Sequence, residues 1–194
     1  MKAAAIQIIK DEHSAISSVL YALRYLVKQM REAAMMPNFP LLRAILDYIV
    51  SYPNRWHHPK EDGYLFRAVK KRTQEADALI AALEKEHQVG YPLIENLKQL
   101  LLDFQNDRPG ARDDFFNLVD SYIKLEWQHM RKEEDDLFPI AEHALTANDW
   151  KEIYDAFQEN DNPLFGIKPK EEAERLYQRI LALAPAPIGY AGKV

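Results

Sequence analysis

The stretch Trp127-Gln128-His129-Met130-Arg131-Lys132-Glu133-Glu134-Asp135-Asp136-Leu137-Phe138 carries His129 and Glu133 four residues apart. On a helix that spacing sends both side chains out of one face, about one turn apart, as a metal-chelating pair does. Seventy-two positions earlier the chain runs Trp56-His57-His58-Pro59-Lys60-Glu61-Asp62-Gly63-Tyr64-Leu65-Phe66. There His57, Glu61, Leu65 and Phe66 fall on His129, Glu133, Leu137 and Phe138 without a gap. Two chelating pairs at constant offset predict a helical bundle with a dinuclear metal site between its helices.

The repeat extends outward from these pairs. Glu12-His13 is answered by Glu86-His87, and Leu20 and Leu23 fall on Ile94 and Leu97, at an offset of 74. Each half is a helix with one inward histidine, a turn, and a helix with His-x-x-x-Glu. Packed as a pseudo-dimer, the halves gather four histidines and two glutamates. A lone inward histidine is usually a hydrogen-bonded core residue; repetition is what separates these four from that reading. The candidate metal ligands are therefore His13, His57, Glu61, His87, His129 and Glu133. Nitrogen and oxygen donors without sulfur, with two glutamates able to bridge, suit two iron ions best, with an iron–manganese pair or zinc as other occupants. Zinc is satisfied by fewer ligands, and magnesium does not favour histidine.

Apolar residues recur at helical spacing along most of the chain. The first helix runs from Ile6 to about Ala34, where Pro37, Asn38 and Pro40 punctuate it. A second begins near Phe39 and continues to Val69, and Pro53 and Pro59 predict a kink or a break within it, because each removes a backbone donor and clashes one turn back. The third spans Thr73 to about Asn106 across Gly90 and Pro92, and Arg108-Pro109-Gly110 forms a turn. The fourth runs from about Arg112 to Leu145, with Pro139 kinking its last turns. After Asn148, an N-cap, a shorter helix carries Trp150, Ile153, Tyr154 and Phe157; Asp161-Asn162-Pro163 marks a loop, and a last helix from about Pro169 carries Leu176, Ile180 and Leu183. The expected fold class is all-α: an up-down-up-down four-helix bundle over residues 1–147, with a C-terminal helical extension, 148–194, packed on it.

Composition narrows the function. Lys and Arg number 25 against 30 Asp and Glu, a net charge of -5, which argues against a nucleic-acid partner. The absence of cysteine excludes disulfides, thiolate metal sites and thiol catalysis. No apolar run approaches a membrane span or the core of a signal peptide, so no membrane partner and a cytoplasmic location are expected. No Gly-rich phosphate loop or nucleophile elbow offers a competing site.

At these residues the chain resembles the hemerythrin-like HHE cation-binding domain family, over about Ile8 to Ala144. The resemblance implies a four-helix bundle around a non-heme di-iron centre. His13 would come from the first helix, His57 and Glu61 from the second, His87 from the third, and His129 and Glu133 from the fourth. Glu61 and Glu133 would be the bridging carboxylates. The family phrase Glu-Glu-x-x-Leu-Phe-Pro is close to Glu133-Glu134-Asp135-Asp136-Leu137-Phe138-Pro139. One departure stands out: oxygen-carrying hemerythrins have two histidines one turn apart on the third helix, whereas Tyr91 follows His87 here and Leu83 precedes it. A missing nitrogen counts against simple reversible oxygen carriage and leaves a position for water, peroxide or nitric oxide; Tyr91 could fill it or act as a redox-active neighbour, but is read rather as a tyrosine of the core or one behind the ligands.

Glu134 is the rival to Glu133, since a five-residue spacing from the histidine also occurs in hemerythrin-type proteins. His58, turned by about 100° from His57 on an α-helix, is read as a surface residue or one behind the ligands, and His143 as structural. A ferritin-like reading of Glu84-x-x-His87 and Glu126-x-x-His129 leaves His13 and His57 unexplained and ranks lower. The expected function is a metal-binding protein that binds or senses oxygen, nitric oxide, peroxide or iron status. A di-iron enzyme consuming peroxide or nitric oxide, or an iron storage or repair protein, is the alternative. The helices from Trp150 to Leu183 are left as a partner surface, a homodimer interface or a cap.

Overall fold

The computed structural model of the chain describes residues 1–33, 35–158 and 169–191. The first apolar stripe forms α1 (Lys2–Glu32), whose buried side includes Ile9, His13, Ile16, Leu20 and Leu23. Asn38 caps the next helix by accepting a hydrogen bond from the Leu41 amide at 3.1 Å, and Pro40 sits in its first turn, where no donor is needed. That helix, α2, is continuous from 39 to 72. It starts as Phe39–Ile49, widens into π-helical turns at Val50–His57, tightens over His58–Lys60, widens again at Glu61–Phe66 and closes as Arg67–Arg72. Neither Pro53 nor Pro59 breaks it. The carbonyl one turn before Pro59 belongs to Arg55, within the first wide segment, and the extra residue per hydrogen-bonded ring relieves the clash that would end an α-helix.

Helix α3 (Asp77–Gln105) runs through Gly90 and Pro92 without interruption. It begins four residues later than the periodicity predicts, because Thr73 is extended and ends α2. Gly110, at φ 80°, starts α4 in the left-handed conformation that favours glycine. Helix α4 covers 111–144: Ala111–Arg131 is α-helical, Lys132–Leu137 π-helical, and Phe138–Ala144 α-helical past Pro139. Two further helices follow, α5 (Ala147–Gln158) and α6 (Pro169–Leu183). The loop expected at Asp161-Asn162-Pro163 lies outside the described residues.

The protein is an all-α helical bundle, with no strand among the described residues. Helix α1 packs against α2 and α4, and α3 against the same two; α5 lies on α1, and α6 on α2. Two apolar clusters divide the interior. One gathers Leu20, Leu23, Ile45, Ile49, Ile94, Leu97, Phe115 and Val119, closed by Ile180 of α6. The other gathers Ile9, Leu65, Phe66, Val69, Ile80, Leu83 and Leu137, closed by Trp150, Ile153 and Phe157 of α5. On every bundle helix the ionisable residues of interest fall between the clusters: His13 lies between Ile9 and Ile16, for example. No helix of the described residues is long and apolar enough to cross a membrane.

Candidate metal centre

Two glutamates sit at the middle of the polar layer. Glu61 and Glu133, both 0% exposed, project from opposite helices and are ringed by imidazoles. Each turns its two oxygens toward different neighbours. Glu61 Oε1 lies 2.9 Å from His57 Nε2 and 3.4 Å from His13 Nε2, while Oε2 lies 3.5 Å from His87 Nε2. Glu133 Oε2 lies 3.3 Å from His13 Nε2, and Oε1 3.3 Å from His129 Nε2. The His87 and His129 Nε2 atoms approach to 2.8 Å. All six residues named from the sequence thus meet in one layer, and Glu134 takes a different place.

That place is behind His13. Glu134 accepts from His13 Nδ1 at 2.8 Å, Glu12 from His57 Nδ1 at 2.7 Å, Asp62 from His87 Nδ1 at 2.9 Å, and Glu86 from His129 Nδ1 at 3.1 Å. Because a carboxylate only accepts, each bond fixes a proton on Nδ1 and turns Nε2 inward, the arrangement that orients imidazole toward a metal. Lysines back the outer carboxylates: Lys60 lies 4.0 Å from Glu12, Lys10 lies 3.9 Å from Glu134, and Lys132 donates to Glu86. Lys60 Nζ also stands 3.8 Å over the Trp56 ring, which favours its charge in a buried setting.

These outer groups obey the repeat. Glu12, Asp62 and Glu86 each hold the histidine of the next helix along, Glu134 of α4 closes the ring by holding that of α1, and Lys60 and Lys132 correspond at the same offset of 72 that relates His57 to His129. Extending the alignment past the chelating pairs was the signal that could have found them.

The electrostatics follow from this arrangement. Burial alone would strip charge from the imidazoles, but the carboxylates facing them outweigh it. His13, His57 and His129 are held above the ordinary histidine value, and His87, beside Asp62 and Glu61, is pushed up to about 9. Burial also pushes Glu61 and Glu133 toward the acid form, yet the surrounding imidazoles keep both below the usual carboxylate range. Glu61 Oε2 and both Glu133 oxygens are buried and accept no well-directed hydrogen bond. An orphaned buried carboxylate oxygen is costly, and three of them amid inward Nε2 atoms fit a cation. The oxygen and nitrogen donors form two groups that could hold an ion, His13 with His57 and Glu61, and His58 with Glu61, His87 and His129.

His58 is not at the surface, one of the two places the sequence reading gave it. It is buried, stacked on His87 with ring centroids 4.2 Å apart. Burial, then the neighbouring His87, holds it well below the ordinary value as a neutral imidazole. Tyr91 is 43% exposed and lines a small pocket beside His58 and His87, so it is no core residue. His143 is exposed. Glu126 is buried 3.9 Å from His58, and its burial raises it toward the acid form; Glu84 instead pairs with Lys70 at the surface, which leaves the ferritin-like constellation without its second glutamate.

The model of the hemerythrin HHE cation binding domain matches residues 4–141. Among curated proteins, uncharacterized proteins of Mycobacterium bovis and Mycobacterium tuberculosis are 22% identical over 156 residues, which is 80% of this chain and 60% of theirs. The chain therefore spans about three fifths of the length of these relatives. No solved structure matches it.

Proposed function

This chain belongs to the hemerythrin HHE cation binding domain family, and we propose that it holds a carboxylate-bridged pair of iron ions with which it binds or senses a small ligand: oxygen, nitric oxide or peroxide, or iron itself. His13 and His57 would serve one ion, His87 and His129 the other, with Glu61 and Glu133 shared. One observation carries this reading: four Nε2 atoms, each oriented by a carboxylate on Nδ1, surround two buried glutamates, three of whose four oxygens accept no hydrogen bond. When bound, such a pair supplies Lewis acidity and one-electron redox chemistry. The chain's own residues hold the imidazoles in register and keep bulk water out. Phe66 stacks on His87 at 5.6 Å, Phe138 lies against His13 at 6.4 Å, and Phe157 meets the His57 ring edge-on at 6.2 Å. Phe157 comes from α5, so the division into a bundle at 1–147 and an extension at 148–194 is proposed as structural, with the extension closing one side of the site. The reading includes a cytoplasmic location, in keeping with the absence of a membrane-crossing helix among the described residues.

Elemental analysis of protein grown with iron tests the metal assignment. Close to two ions per chain are expected, with most lost in His57→Ala and in His129→Ala; unchanged content in both variants overturns it. Reversible oxygen binding by the reduced protein then favours carriage, and rapid irreversible autoxidation favours sensing. Steady-state consumption of peroxide or nitric oxide favours an enzyme, and ready transfer of iron to an apo-acceptor favours storage or repair.

A further inference from the structure

The repeat that relates the two halves fails at one buried position next to the centre. Under the offset of 72, His58 corresponds to Met130. Both side chains are 6% exposed, but only one is a metal-ligating imidazole, and Met130 accepts instead from Ser17 Oγ at 3.8 Å. The helix also differs in form around the two pairs. In the first half, π-helical turns at Val50–His57 precede the pair; in the second, His129 sits on regular α-helix, and the wide segment comes only afterwards, at Lys132–Leu137.

Helix α3 brings only His87, since Leu83 one turn earlier is packed in the apolar core and Tyr91 one turn later is at the surface. His58 offers a ring nitrogen within 4.8 Å of ligand atoms of Glu61, His87 and His129, all mutually within that distance. The openings beside the two histidines that correspond, His13 and His87, differ in the same sense. On the Met130 side a groove of about 1180 Å³ reaches His13, Ser17 and Glu134; on the His58 side a pocket of about 200 Å³ reaches His87, Tyr91 and Asp62.

We propose that His58 is a metal ligand, adding from α2 a third nitrogen to the ion that His87 and His129 serve. The centre is then unequal by construction. Three imidazoles, His58, His87 and His129, serve one ion; two, His13 and His57, serve the other; Glu61 and Glu133 are shared. This rests on the dinuclear reading above, and the test separates the two. Apoprotein is titrated anaerobically with Fe(II) in the wild type, in His58→Ala and in the surface control His143→Ala, and bound metal is counted against a competing chelator.

The wild type and the control are expected to take two ions. His58→Ala is expected to hold one as the wild type does and the second at least about tenfold more weakly, with free imidazole restoring the second to the variant. A wild type that takes no metal overturns the dinuclear reading itself. Two ions at wild-type affinity in a folded His58→Ala overturn the His58 assignment alone. Should the variant fail to fold, Co(II)-loaded wild type decides: five hyperfine-shifted imidazole N–H resonances support the assignment, and four overturn it.

Discussion

Glu12 and Glu86 touch no inward-facing atom of the centre, yet each determines where an imidazole lone pair points. An amide in place of the carboxylate keeps the shape but can offer its nitrogen to Nδ1, so the ring loses its fixed tautomer and part of its basicity. Glu12→Gln and Glu86→Gln are each expected to weaken metal binding about 10–100-fold in chelator competition while leaving the helical content intact; wild-type affinity in both would remove the outer carboxylates from the argument. Tyr91→Phe, by contrast, is expected to leave metal content unchanged, because the ring is exposed at the pocket rim; loss of an ion would make the phenol a ligand. At this scale the sequence spoke clearly on the residues that the repeat pairs. His129 and Glu133 share a face, and Glu134, one residue on, points to the back of His13. His58 reads as a surface residue or one behind the ligands, and its burial removes the first of these. Nothing in the residue types alone announces the π-helical turns at Val50–His57 and Lys132–Leu137.

Elements were legible in type and number, and less so in continuity. Pro53, Pro59 and Pro139 each read as a break or kink, but α2 and α4 carry on past them. Pro59 and Pro139 follow the π-helical segments Val50–His57 and Lys132–Leu137, which take up the lost donor and the ring's bulk. The cap of α5 shows a similar shift, from the expected Asn148 to Thr146. The Thr146 amide and hydroxyl both donate to Asp149 Oδ2, at 2.8 and 2.6 Å, and the Asp149 amide donates to Thr146 Oγ1 at 3.3 Å. This is a reciprocal cap, tied to α2 by two bonds from Arg72. Arg72 first, and Thr146 after it, hold the Asp149 carboxyl well below the usual carboxylate range. A depressed carboxylate stabilises the fold fully above its unfolded value, near pH 4, and that contribution is lost as pH falls through the folded value. Asp149→Asn is therefore expected to lower Tm by a few degrees at neutral pH, on the order of 1 kcal/mol for a lost cap. The gap from wild type should close as the pH is taken below about 4; a gap independent of pH would show that the charge is not what the cap contributes.

Across the whole molecule, a charged layer divides two apolar clusters that would otherwise form one core, and all four bundle helices contribute to it. The clusters supply the burial that drives folding, whereas the layer carries buried carboxylate oxygens without donors, a local cost to the fold. A cation that binds only the folded chain offsets that cost, and by mass action at about 100 times Kd it adds roughly 2.7 kcal/mol. For a chain of this size each kcal/mol is worth about 2–4 °C, so Fe(II) added anaerobically to apoprotein is expected to raise Tm by about 5–10 °C. The same addition to His57→Ala should give a much smaller rise, because one position has lost half its nitrogen donors. The apo forms test the other half of the argument. His57→Ala leaves Glu12 and Glu61 buried without their shared partner, and is expected to be less stable than the wild type before any metal is added. Glu61→Gln removes a buried charge and should lie closer to wild type as apoprotein while losing the metal-dependent rise. A wild-type Tm that does not move with saturating Fe(II) would mean that the layer is a self-contained ion-pair network, held by its imidazoles and carboxylates alone.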